Sequence, residues 1–97
     1  MFFNHIPGHI RELQEYGGGT GMNLQQMKYV VTISEQGSFS KASQILYITQ
    51  PTLSNEVKKL EKELGIIIFS RNKHGAQVTD AGREFLEYAR GIIEQFQ

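Results

Sequence analysis

Apolar residues recur at helical spacing along most of this chain, broken by glycines and by residues that cap helices. The clearest stretch runs from Thr49 to Gly65. At about 100° per residue, Leu53, Val57, Leu60 and Leu64 fall within one narrow arc. Opposite them lie Pro51, Asn55, Lys58, Lys59 and Lys62, with Glu56, Glu61 and Glu63 on the flanks, where they are expected to pair with nearby lysines. The pattern predicts a helix capped by Thr49, with Gln50 and Pro51 in a first turn where a missing N–H costs nothing. Its leucines are buried and its outward face is free of acids. Such a face suits a nucleic-acid groove, because phosphates need cations and base edges need short donor and acceptor side chains. A merely solvated amphipathic helix would carry the same pattern, so the neighbouring elements have to decide between the two.

Upstream, Asn23 with Gln26 three residues on forms a capping-box signature. Leu24, Met27, Val30 and Val31 then fill one face of a helix that stops near Gln36, where Gly37 offers a left-handed C-terminal position. Tyr29 and Ile33 lie nearly opposite, so this helix is expected to touch something besides its own core. Ser38 caps a short helix, Phe39 to Leu46, with Phe39, Ala42, Ile45 and Leu46 inward, and Tyr47 and Ile48 make a brief turn. A short helix, a tight turn and the Thr49–Gly65 helix together read as a helix-turn-helix.

After Gly65 the character changes. Ile66, Ile67, Ile68 and Phe69 are β-branched and aromatic, which predicts a strand. Ser70 to Gly75 then reads as a basic loop, and Gln77 and Val78 as the returning strand. The result is a hairpin with a cationic tip and no acid between Ser70 and Thr79. Thr79 and Asp80 start a last helix in which Phe85, Ala89, Ile92 and Phe96 keep helical spacing, while Ala81, Leu86 and Ile93 widen the stripe to about 140°. So wide a stripe predicts a second surface, an identical helix from another subunit, with Tyr29 and Ile33 joining it. The pattern is still running at Gln97, as it would in the front part of something longer.

Residues 1–21 differ from the rest. Ile6, Ile10 and Leu13 could share one side of a short helix begun at Pro7, and Gly17, Gly18, Gly19, Thr20 and Gly21 read as a flexible linker. A fused peptide or tag ahead of a start at Met22 is the expectation here, with a native extension outside the family pattern as the alternative. His5 and His9 are four residues apart, but two imidazoles without a third ligand make a weak metal site, so surface histidines are expected.

Composition narrows the function. The 97 residues suit one small domain, without cysteines for a disulfide or a thiolate zinc site. The apolar start Met1-Phe2-Phe3 is too short for a secretory signal, and no stretch approaches membrane-spanning length. A cytoplasmic protein is expected, at the nucleoid when bound to DNA. Formal net charge is zero, which argues against a non-specific coat protein, yet Lys41 to His74 carries six Lys/Arg against three acids. No catalytic constellation, cofactor motif or Gly-rich phosphate loop is legible, so neither an enzyme nor a cofactor is expected.

In this order the residues resemble the N-terminal DNA-binding domain of LysR-type transcriptional regulators. The matching runs are Met22-Asn23-Leu24-Gln25-Gln26-Met27, Glu35-Gln36-Gly37-Ser38-Phe39, Lys41-Ala42-Ser43, Thr49-Gln50-Pro51-Thr52-Leu53-Ser54, Leu60-Glu61-Lys62-Glu63-Leu64-Gly65, Phe69-Ser70-Arg71 and Val78-Thr79-Asp80-Ala81-Gly82. The resemblance covers residues 22–97 and implies a mainly α fold. That fold is a winged helix-turn-helix (22–80) with a short β-hairpin wing and a long C-terminal linker helix (81–97) for dimerisation. It also implies sequence-specific binding of double-stranded DNA by a dimer on a pseudo-palindromic operator. By position, Gln50, Pro51, Ser54 and Asn55 would face bases. Ser38, Lys41, Thr52, Lys58, Lys59 and Thr79 would approach phosphates, and Arg71 with Lys73 would serve the wing. The homodimer would use Tyr29, Ile33, Phe85, Ala89, Ile92, Ile93 and Phe96. Asn55 stands where the family often has a long basic residue, which shortens reach at that point. The family's effector-binding domain is missing, so no small-molecule effector is expected for this chain. A protein-interaction scaffold that displays or captures the N-terminal peptide is the alternative function.

Overall fold

The computed structural model describes residues 23–95. The expectations for residues 1–22 and for Phe96 lie outside the described residues. Each helix begins where its cap chemistry dictates. In α1 (Leu24–Gln36) the Asn23 side chain accepts the Gln26 N–H at 2.9 Å, while Gln26 Oε1 accepts the Asn23 N–H at 3.2 Å, which closes the capping box. Gly37, at φ 65°, ends it. Ser38 caps α2 (Phe39–Leu46), and Thr49 caps α3 (Gln50–Leu64). Between them Tyr47 takes the left-handed conformation at φ 58°, with its side chain 94% exposed.

Strands β1 (Phe69–Asn72) and β2 (Gly75–Val78) pair antiparallel, Phe69 opposite Val78 and Asn72 opposite Gly75. The wing therefore starts later than expected, and its tip is only Lys73 and His74. Ile66, Ile67 and Ile68 are not strand. Ile68 is fully buried, Ile67 is 61% exposed, and the Ile68 N–H is taken by the Glu61 carboxylate rather than by a neighbouring strand. The wing is pinned to the α1–α2 junction by the Ala76 N–H, which donates to the Gly37 carbonyl at 3.0 Å. Gly75, at φ 120°, has to be glycine there, because a Cβ would press into that same carbonyl oxygen.

Thr79 caps α4 (Asp80–Glu94), which packs on α1 more extensively than any other pair of helices packs. Val30, Ile33, Leu53, Leu60, Leu64, Ile68 and Tyr88 form the fully buried centre, with α3 beneath and α1 and α4 beside it. This corrects part of the expected dimer surface. Tyr29, Ile33, Phe85 and Ala89 are all buried inside the one domain, because the second apolar side of α1 is covered by α4 of the same chain. Ile92 and Ile93 are only partly buried. Ile45, expected inward, is 51% exposed, and Ala81 is exposed rather than part of the α4 stripe.

Candidate nucleic-acid interface

Buried Leu53, Val57, Leu60 and Leu64 hold α3 from behind and so fix what its other side presents. Gln50, Pro51, Thr52, Asn55, Lys58, Lys59 and Lys62 are all exposed. Thr52 shares a 2.8 Å hydroxyl–hydroxyl hydrogen bond with the cap Thr49, which orders the first turn. Lys59 Nζ lies 3.5 Å from Glu56 Oε2, an open surface pair worth at most about 1 kcal/mol and weakened by salt. A phosphate could therefore displace Glu56 from Lys59 at little cost.

The flank of α3 carrying Ser54 and Glu61 faces the wing. Arg71 Nη1 donates to Ser54 Oγ at 3.0 Å, and Glu61 Oε2 accepts the N–H groups of Ile68 at 2.7 Å and Phe69 at 3.3 Å. Glu61 is thus an anchor for the chain entering β1, not the lysine partner that its neighbours suggested. Its place on the wing-side flank, seven residues from Ser54, was the available signal.

Phe69 and Arg71 are two residues apart in β1 and so share a face of the strand. Phe69 meets Phe39 edge-on, with ring centroids 5.6 Å apart, and the Arg71 guanidinium carbon lies 3.8 Å from the Phe39 ring centroid. Arg71 therefore belongs to the seam between α2, α3 and the wing rather than to the wing tip. At the tip the Asn72 side chain accepts the His74 N–H at 2.8 Å, which leaves Lys73 and His74 exposed. The sequence pattern alone gave His74 no role. Its position between Lys73 and Gly75 marks the two-residue turn, but a wing set too early hid it.

Ser38 uses its hydroxyl to cap α2, accepting the Lys41 N–H at 3.1 Å, and the Lys41 side chain is exposed one turn in. Thr79 departs from its expected place beside phosphate. Its hydroxyl accepts the Gly82 N–H at 3.0 Å and donates to the Ile67 carbonyl, so both hydrogen-bonding capacities serve the fold. Among the described residues no three His, Cys, Asp or Glu side chains gather as a metal site would need, and no helix is long and apolar enough to cross a membrane.

Residues 24–83 match the model for the bacterial regulatory helix-turn-helix proteins of the lysR family. Two curated relatives are the HTH-type regulator TfdT of Cupriavidus pinatubonensis, 37% identical over 76 residues, and the uncharacterised HTH-type regulator YcgK of Bacillus subtilis, 43% identical over 72 residues. These alignments cover 78% and 74% of this chain but only 33% and 22% of the relatives, so the chain spans a third or less of their length. Among solved structures, the CbnR DNA-binding domain in complex with DNA superposes with a TM-score of 0.74 at 35% identity, over 76% of this chain and 85% of that one. The BenM DNA-binding domain bound to a catB site gives 0.74 at 36% identity, over 77% and 84%.

Proposed function

Because the chain belongs to the LysR family of bacterial helix-turn-helix regulators, we propose that it controls transcription as a dimer on a pseudo-palindromic operator, each α3 reading one half-site. The observation that carries this reading is the outward face of α3, where exposed Pro51, Asn55 and three lysines stand on a fixed leucine base with no acid among them, and Gln50 is exposed in the first turn. The DNA complexes of similar domains support it.

In this reading α3 enters the major groove by its first turns. The Gln50 amide reads adenine through both its donor and its acceptor, Pro51 contacts a thymine methyl, and Asn55 reaches a neighbouring base edge. Lys58, Lys59, Lys41 and the Ser38 and Thr52 region approach phosphates and set the register of the domain on the duplex. Lys73 and His74 bring the wing to the adjacent backbone or minor groove, where a narrow groove concentrates negative potential. Dimer contact falls to Ile92 and Ile93 near the end of α4, since Tyr29, Ile33, Phe85 and Ala89 are core.

Selection of bound sequences from a random duplex pool, followed by titration of the selected site and a scrambled duplex at two salt concentrations, tests the proposal. Gln50→Ala is expected to lose about 1–3 kcal/mol on the selected site alone. Lys59→Ala is expected to weaken both duplexes alike and to lower the salt slope by about one. Equal losses on both duplexes for Gln50→Ala would remove it from base reading, and salt-independent binding would overturn the DNA role.

A further inference from the structure

We propose that Arg71 is a positioning residue that sets the hydrogen-bonding polarity of Ser54, so that the protein favours an acceptor-bearing base edge at one operator position. The inference rests on α3 reading the major groove.

A serine hydroxyl has one proton to give and two lone pairs, and left alone it rotates to suit either kind of partner. Ser54 is not left alone. Arg71 Nη1 donates to its oxygen at 3.0 Å, and a guanidinium carries donors only and stays charged at any relevant pH. The Ser54 proton therefore cannot point at Arg71, and the adjacent positive charge repels a second donor. What remains is a hydroxyl biased to donate. In the major groove guanine offers N7 and O6, adenine N7 and thymine O4 as acceptors, whereas cytosine offers a donor. Ser54 held in this way discriminates against cytosine on the strand it faces.

The device depends on Arg71 being fixed, and three elements fix it. The guanidinium lies over the Phe39 ring at the start of α2, Phe39 is braced edge-on by Phe69, and Phe69 stands two residues before Arg71 on the same face of β1. At the base of the strand Glu61 of α3 takes the Ile68 and Phe69 N–H groups. Strand and helix are thus tied at two places on one flank of α3, at Glu61 and at Ser54. A serine so placed keeps its orientation before DNA arrives, which is what makes a weak hydrogen-bonding group selective.

The test compares selected consensus sequences for the wild type, Ser54→Ala, Arg71→Met and the double variant, with thermal melting of each as a folding control. Arg71→Ala at the same exposed position repeats the test should Arg71→Met fail to fold. Both single variants are expected to relax the same base position, each losing about tenfold discrimination against cytosine, and the double variant is expected to lose no more than either. The salt slope on scrambled duplex should stay at the wild-type value. The proposal is overturned if Arg71→Met weakens all sequences alike with a slope lowered by about one, or if it relaxes a different position from Ser54→Ala. A wild-type pool without any preferred sequence would overturn the groove reading itself, and this inference with it.

Discussion

Gly82 lies against the backbone of Ile68 so closely that a Cβ built on it would sit 3.0 Å from the Ile68 carbonyl carbon and closer still to its oxygen. The first turn of α4 therefore rests directly on the segment that leads into the wing. The Thr79 N–H reinforces the contact by donating to the Ile68 carbonyl at 2.9 Å. The start of the linker helix is thus held to the Ile67–Ile68 backbone both by this bond and by the Thr79 hydroxyl.

Two glycines of the same helix should consequently respond to alanine in opposite directions. A helical glycine replaced by alanine ordinarily gains up to about 1 kcal/mol. A Cβ on Gly91 would meet nothing within 4 Å, so Gly91→Ala is expected to follow that rule. Gly82→Ala is expected to lose about 1–3 kcal/mol instead, because backbone rather than a flexible side chain must yield. Urea unfolding midpoints at unchanged m-value decide both cases; a stabilised Gly82→Ala would show the contact to be looser than this.

Removing the Glu61 carboxylate should loosen the wing. With Glu61→Ala the Ile68 and Phe69 N–H groups lose their acceptor in a partly buried setting, a cost of about 1–3 kcal/mol. Glu61→Gln retains a carbonyl acceptor and should recover at least half of that loss. Amide hydrogen exchange at Ile68 and Phe69 gives the local readout, with faster exchange expected in Glu61→Ala than in Glu61→Gln. Equal exchange in the two variants would assign those amides to another partner.

Alkaline pH should expose the packing of Tyr88. Burial pushes its phenol above the ordinary value of 10, in a core where its ring lies 6.1 Å from that of Phe85. Above about pH 10 the unfolded chain releases this proton while the folded state keeps it, so the folded state binds more protons and stability falls as pH rises. The contribution is fully present below the unfolded value and is lost upward through the folded one. Tyr88→Phe should flatten the dependence of unfolding free energy on pH above about 10, whatever its stability at neutral pH. An unchanged slope would place the alkaline sensitivity elsewhere.

These elements also mark what a sequence can and cannot reveal. The helices were legible because their signals are local: Asn23 with Gln26, Ser38, Thr49 and Thr79 each sit where a cap must sit, and the α3 leucines repeat within one helix. The wing was harder. Ile66, Ile67 and Ile68 have the right propensity for a strand, but Glu61 and Thr79 capture the backbone of Ile67 and Ile68 before any strand can. Periodicity likewise showed that Tyr29 and Ile33 need cover without showing that α4 of the same chain supplies it. The Arg71–Ser54 bond joins residues seventeen apart in sequence and has no local signature at all.

Self-association should depend on the far end of α4 and not on its middle. Ile92 and Ile93 continue the core-facing arc of the helix to the point where the domain covers it only in part, and both remain partly exposed. Ile92→Asp with Ile93→Asp is therefore expected to shift a dimer toward monomer in sedimentation while leaving the melting transition cooperative. Phe85→Ala should act the other way round, costing about 3–5 kcal/mol of monomer stability as a buried aromatic is removed. If dimerisation survives the double aspartate variant, the contact lies outside Ile92 and Ile93, and the exposed charged face of α4 becomes the surface to alter next. If Phe85→Ala instead dissociates a still-folded dimer, the burial of that ring within one domain does not describe the protein in solution.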